Sequence, residues 1–323
     1  MKSSSCRSRR RFPRAIANST AAHFPLQLFS GSSPHFNHGL LASTCFFWGT
    51  TYLAIRVALE SFSPAVLVAL RFLISGSIMT AGVWSGLPFP RGRDLAWAAL
   101  LGLLILGGGN SCLVYSETLI PSSLAALIIT LSPFWYSGLE ALIPGGEKLR
   151  APVLAGVATG FAGVALLIVP DVLEKGLSGA VWQGFLILQL GSLCWCGGSI
   201  LQRRRITNHA HPFAIGAVQQ LAAGVVFIVP ALVEQGQMAD FSSQGVVALL
   251  YLVVFGSIIG FSSYIDTLSK LPVAMVSIYT YVNPLVAAVL GRIFYREPFG
   301  WLETAAMVII FAGVWIVKRY SVH

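Results

Sequence analysis

The sequence predicts an all-α polytopic membrane protein of ten transmembrane helices, arranged as two inverted five-helix repeats, and three observations predict it. Only 10% of the 323 residues are charged and 55% are apolar, whereas a soluble chain carries about 25% charged residues; there is too little charge here to clothe a water-exposed surface. Apolar runs of about 20 residues, enough to cross a hydrocarbon core of about 30 Å as helix, recur along the chain. Finally, the two halves echo each other. "IPSSLAALIITLSP" at 120–133 and "LPVAMVSIYTYVNP" at 271–284 share a frame in which Pro121 and Pro133 answer Pro272 and Pro284 at one 151-residue offset.

The spans fall at 40–59, 64–84, 94–116, 122–143, 151–169, 180–202, 213–233, 244–265, 273–294 and 300–317. The alternation of a transmembrane β-barrel is absent, and backbone groups in lipid leave helices as the other option. The longest connections, near 85–93, 170–179 and 234–243, hold no further soluble domain. Before the first span, residues 1–39 form a basic head, expected to be disordered. It carries Lys2, Arg7, Arg9, Arg10, Arg11 and Arg14 without an acid, and reads as a retained cytoplasmic tail, an organelle transit peptide or an over-extended start.

The net charge of +9 is placed by topology rather than by nucleic acid, which is not an expected partner. With cytoplasmic termini, the head is joined on that side by Arg91, Arg93, Lys148, Arg150, Arg203, Arg204, Arg205, Lys270, Lys318 and Arg319, against Arg56, Lys175, Arg292 and Arg296 outside. The positive-inside rule therefore sets both termini in the cytoplasm. A bacterial inner membrane fits, or an organelle envelope if the head is a transit peptide. The odd set of Cys6, Cys45, Cys112, Cys194 and Cys196 argues against a disulfide framework. The "CWC" at 194–196 points its thiols to nearly opposite sides of a helix, which suits packing and not metal.

Further echoes extend the repeat. "YSETL" at 115–119 matches "YIDTL" at 264–268, "GEKL" at 146–149 is answered by "REPF" at 296–299, and Trp48, Pro64 and Gly163-Val164 correspond to Trp195, Pro212 and Gly313-Val314. Five is odd, so the second half enters the membrane from the opposite face. Halves related in this way can exchange conformations around a midplane site, which is the logic of alternating access.

"FFWGTTYLAIRVAL" followed by Pro64 and "LRF" at 70–72, "YSETLIPSSLAALIITLSPFW", and "GEKL" before a glycine-rich span ending "GVALLI" resemble the EamA branch of the drug/metabolite transporter superfamily, over about residues 40–318. The resemblance implies EamA repeats at 40–169 and 180–318, a cavity built by the first four spans of each half, and spans 5 and 10 packed away from it. It implies a transporter; with the polar residues inside the spans, the expectation is a secondary transporter of a small polar metabolite, amino-acid-like or another organic anion or zwitterion, working as an exporter. No cofactor is expected; the bilayer and the solute are the partners, and a homodimer stays open. The family's substrates include amino acids and nucleotide sugars, so the resemblance does not fix the solute. Glu117 departs from a position expected to be uncharged.

Polar groups facing lipid are costly, so those inside spans should face the bundle interior. Arg71, two turns into span 2, needs a partner, water or an anionic solute, or else snorkels to the headgroups; its repeat counterpart is Gln219. Trp48, Thr51 and Tyr52 in span 1, and Trp195 in span 6, lie too deep to be belt residues. Asn110, Tyr115, Tyr264, Tyr279 and Asn283 add donors and acceptors without net charge. Pro133 and Pro284 would each free a carbonyl inside spans 4 and 9, and "GGGN" at 107–110 would let span 3 bend. Gly156 and Gly160 read as a close helix contact.

For gating, Glu117 with Arg56 would close the outer mouth, and Asp266 with Arg203 or Arg204 the inner one; solvated helix ends are the plainer alternative. A membrane enzyme is disfavoured, since no HExxH, GxSxG or deep carboxylate pair occurs. A passive channel would share the polar lining but has no use for inverted halves.

Overall fold

The computed structural model describes residues 34–321 apart from 84–85, 144–149, 177–178, 206–209, 235–241, 272–275, 277–278 and 298. The basic head up to residue 33, the "GEKL" acid Glu147, and Pro272 therefore lie outside the described residues. Every regular element among the described residues is helical: α1 (Pro34–Ala58), α2 (Pro64–Val83), α3 (Arg93–Ser116), α4 (Ser122–Leu142), α5 (Ala151–Lys175), α6 (Ala180–Arg205), α7 (Pro212–Val226, continued by Ile228–Glu234), α8 (Ser243–Lys270), α9 (Tyr279–Tyr295) and α10 (Trp301–Ser321). Seven helices among the described residues are long and apolar enough to cross a membrane, or eight when the α7 pair, bent by 40°, counts as one span. α9 has 17 described residues, and the apolar stretch of α10, Trp301–Val317, is a shorter one.

Helix starts follow local chemistry. Proline occupies the first position of α2 and α7, where no intrahelical partner for its missing N–H is needed. The Ser242 hydroxyl accepts from Gly245 N at 2.9 Å to cap α8. Span 4 differs from the sequence expectation: the helix breaks at Thr130 and Leu131, and Pro133 opens the second segment, Ser132–Leu142, instead of kinking an unbroken helix. A proline tolerated in a first turn disrupts less there than in a helix interior. Span 3 differs as well. It widens into a π-helix over Leu103–Asn110, a stretch that contains "GGGN", and α8 widens likewise over Leu252–Phe261, the two segments starting 149 residues apart.

α5 packs along α10, α2 along α7, α1 between α8 and α9, and α3 along α6. The contacts are reciprocal. A methyl on Gly76 would lie 2.9 Å from Leu221 N, and one on Gly224 would lie 2.8 Å from Leu73 N, so equivalent residues 148 apart meet in opposite order along the two helices. α5 and α10 repeat the pattern: Gly313 abuts the Gly156 carbonyl and Gly163 the Ala306 carbonyl.

Close backbone approach at α5 and α10 has a testable cost. A methyl at Gly313 would stand 2.5 Å from Gly160 N, an unyielding backbone atom. Gly313→Ala is expected to destabilise the protein by about 1–3 kcal/mol, the usual range for overpacking, read as a lower melting temperature of the detergent-purified protein.

Candidate functional site

α1, α2, α3, α4, α6, α8 and α9 surround an open-mouthed cavity. No residue of α5 or α10 lines it. Of the eleven sequence-predicted binding residues, Trp48, Thr51, Tyr52, Arg71, Asn110, Trp195, Tyr279 and Asn283 are on its wall. These polar and aromatic groups come from helices that bring few other charges to the interior.

Arg71 is the wall's cation and is only 4% exposed. It does not snorkel to the surface. Nε donates to Ser257 Oγ at 2.8 Å, Nη1 donates to Asn110 Oδ1 at 3.3 Å, and the guanidinium lies 5.2 Å from the Phe72 ring centroid. α8 is close enough for this because residue 256 is glycine; a methyl there would meet Arg71 Nη2 at 2.8 Å and Thr51 Cγ2 at 3.0 Å. Both hydrogen-bond partners are neutral acceptors, so they orient the guanidinium without a carboxylate in contact with it.

Asn283, from α9 on the lining of the same cavity, is buried at 2% exposure and its Oδ1 has no hydrogen-bond partner. A buried carbonyl oxygen left unpaired costs about 1–3 kcal/mol, and this one belongs to the cavity wall. Trp48 meets Trp195 edge-on at 5.4 Å and Tyr279 at 5.0 Å, and Trp48 Nε1 donates to the Gly256 carbonyl at 3.1 Å. Trp48 and Trp195 are themselves repeat counterparts, so the two halves touch at equivalent rings.

Three expected binding residues are elsewhere. Tyr264 is fully buried beneath the aromatic wall, 5.0 Å from Trp48, with its hydroxyl held by Ser199 (2.6 Å) and Tyr136 (3.2 Å). Gln219 is fully buried and donates to Gln202 Oε1 at 2.7 Å, so the counterpart of Arg71 serves packing between α7 and α6. Tyr115 donates to Glu234 Oε1 at 2.7 Å, while Glu234 Oε2 accepts from Ala65 N at 2.8 Å and so caps α2.

The expected gate pairs are not the pairs formed. Arg56 Nη1 reaches the Glu117 backbone carbonyl at 2.6 Å, and the Glu117 carboxylate has no hydrogen-bond partner. Asp266 pairs with Lys270 at 2.7 Å one helical turn on, and Arg204 pairs with Glu140 at 3.0 Å. A neighbour on the same helix face, or on the helix alongside, is nearer than a partner across the mouth.

Sequence reasoning missed Ser257, Ser192 and Ser132 on the wall. Small hydroxyl residues inside an apolar span usually bond back to their own helix, so sequence gives no signal for them. It also missed Glu297, in the turn between α9 and α10. Its Oε1 accepts from Ser122 N (3.0 Å) and Ser122 Oγ (2.8 Å), and its Oε2 from Ser123 N (3.0 Å). Burial alone would raise this carboxyl, but these hydrogen bonds hold it below the usual carboxylate range. The signal was available: both halves place an acid at this point of their echo, in "GEKL" and "REPF".

Comparison with known proteins bears on the whole chain. The model of the EamA-like transporter family matches twice, over residues 37–169 and 182–319. The "Uncharacterized inner membrane transporter YedA" of Escherichia coli (strain K12) is 35% identical over 282 residues, covering 85% of this chain and 89% of that protein. A chloroplastic WAT1-related protein of Arabidopsis thaliana is 26% identical over 90% of this chain and 71% of its own. A "Probable terminal-alkyne amino-acid exporter" of Streptantibioticus cattleyicolor is 26% identical over 86% of this chain and 92% of its own. A solved crystal structure aligns with a TM-score of 0.66 at 19% identity, covering 90% of this chain and all of that one, which speaks to the fold alone. With a cavity walled by both halves and a family model matched by each half, the chain belongs to the EamA-like transporter family and is a membrane transporter.

Proposed function

We propose that the protein is a secondary carrier that exports a small amino-acid-like solute by alternating access, with ten crossings in two inverted halves and cytoplasmic termini. The observation that carries the solute class is the presence in one cavity of an Arg71 guanidinium hydrogen-bonded only to neutral groups and the unpartnered Asn283 Oδ1. A carboxylate satisfies the first and an N–H or ammonium group the second, and the Trp48, Trp195 and Tyr279 rings suit a cation or an apolar stem. The relative named as an amino-acid exporter supports the same class. The reciprocal contacts of α2 with α7 and α5 with α10 support the inverted halves. Tyr264 is fully buried in a hydrogen-bonded cluster with Tyr136 and Ser199, whereas Tyr115, the counterpart of Tyr264, is only half-buried. This asymmetry between equivalent positions is what one of two interchanging states requires.

A thermal-shift screen of the purified protein against L-amino acids, nucleobases and sugar derivatives tests the class, since a ligand of the folded state stabilises it by mass action. L-Amino acids are expected to raise the melting temperature and to support saturable counterflow in proteoliposomes. Stabilisation by nucleobases or sugars alone would overturn the solute class, and flux without counterflow would replace the carrier with a pore. For topology, a reporter fused after His323 is expected to be active only in the cytoplasm; activity on the outer side would overturn the orientation.

A further inference from the structure

Glu117 stands one residue beyond the end of α3 and is completely buried, with neither carboxylate oxygen hydrogen-bonded. An ionised carboxylate there would lose its hydration with no hydrogen bond in its place, which disfavours the charged form. A neutral carboxyl is far less costly to bury. Nearby cations do not make up the deficit: Arg56 gives its hydrogen bond to the Glu117 backbone carbonyl, and Arg71 is engaged with Ser257 and Asn110. The charged and titratable groups that face the carboxyl are Arg56 and Tyr52 from α1, Arg71 from α2 and Glu297 from the turn after α9. Burial raises its proton affinity most and the Glu297 charge adds to this, against the two arginines.

The equivalent position in the second half sharpens the contrast. Asp266, 149 residues on, is also buried, but it forms an ion pair with Lys270 at 2.7 Å. One of two related acids has a counter-charge in hydrogen-bond contact, and the other has none. Glu117 also lies between two contacts that join separate elements. Arg56 ties its carbonyl to α1, and five and six residues on, at Ser122 and Ser123, Glu297 ties the first turn of α4 to the turn after α9. Separating either contact would let water reach the carboxyl.

We propose that Glu117 is a proton-binding site, loaded in this conformation, which exchanges its proton with water when the corner between α3 and α4 opens and so couples proton movement to transport. The coupling rests on the transport reading above; the site itself does not. The proton comes from water on one side of the membrane and returns to water on the other, with no bond to the solute.

Infrared spectroscopy of the full-length purified protein reads the site without any solute. At pH 7 a protonated-carboxyl C=O band is expected in the wild type, lost in Glu117→Gln and retained in Asp266→Asn. Absence of that band from the wild type, or its persistence in Glu117→Gln, overturns the proposal; the wild-type measurement decides even if a variant does not fold. In proteoliposomes, an imposed pH gradient is expected to drive accumulation of a labelled mixture of L-amino acids by the wild type. Glu117→Gln should keep counterflow of that mixture and lose the gradient-driven accumulation. Gradient-driven accumulation by Glu117→Gln overturns the coupling. If the wild type shows no counterflow of the mixture, the amino-acid reading fails, and the infrared band still decides the proton site.

Discussion

Arg71→Ala is expected to lower affinity for an amino-acid solute about 100-fold or more, because hydrogen bonds to a charged group contribute about 1.5–3 kcal/mol each and a carboxylate would lose two of them. Arg71→Lys should lose about tenfold. The ammonium keeps the charge, but it cannot hold Ser257 on α8 and Asn110 on α3 together while presenting a flat fork to the solute. The measurement is the concentration dependence of the thermal shift and of counterflow in each variant, with membrane insertion checked by detergent extraction. Wild-type counterflow by Arg71→Ala would remove the guanidinium from the binding site. Selective loss in the alanine variant, with Arg71→Lys unaffected, would show that charge and not geometry recognises the solute.

Glu297→Ala should have the largest effect on stability. It leaves Ser122 N and Ser123 N at the buried start of α4 without an acceptor, and each unmet donor costs about 1–3 kcal/mol. A loss of about 3 kcal/mol or more is expected, with Glu297→Gln falling between this and the wild type because one carbonyl oxygen remains. Gly291→Ala, whose methyl would stand 2.5 Å from Glu297 Oε2, should reproduce part of the loss. Arg296 takes a positive φ of 51° to turn the chain into this clamp, and Glu297 N donates back to the Gly291 carbonyl at 3.1 Å. Because hydrogen bonding holds the folded carboxyl below its unfolded value, the clamp stabilises fully above the unfolded value of about 4.3 and fades as pH falls through the folded one. The wild type should therefore lose this increment in acid and Glu297→Ala should not. An equal melting temperature for the two proteins at pH 7 would show that the clamp contributes nothing.

How far the molecule could be read in advance depends on the range of the interaction. The apolar runs were legible because the bilayer demands them locally, and Trp48, Thr51, Tyr52 and Arg71 because a polar or ring-bearing group at mid-span has few other places to go. Partnerships were not legible. Arg71 finds Ser257 at a separation of 186 residues and Glu297 finds Ser122 at 175, and no local pattern encodes either meeting. Gln219 and Tyr264 were equally polar and equally deep, yet packing turned one toward Gln202 and set the other below the wall. The break in span 4 escaped for a related reason: Pro133 was visible, but whether it kinks a helix or begins a new one depends on Thr130, whose hydroxyl donates at 3.2 Å both within α4 and to the Thr280 carbonyl.

The paired π-segments also bear on history. A π-turn arises when one residue is inserted into an α-helix without breaking it, and it persists only where something uses it. Here the surplus turn lies at the same register in α3 and α8 and borders the cavity in both. Two independent insertions at one register are a less economical origin than a single event in an ancestral half-length chain, inherited by both copies. On the proposed reading of two inverted halves, the widened helix would then be older than their joining, and the half-length unit would already have carried the segment that borders the cavity.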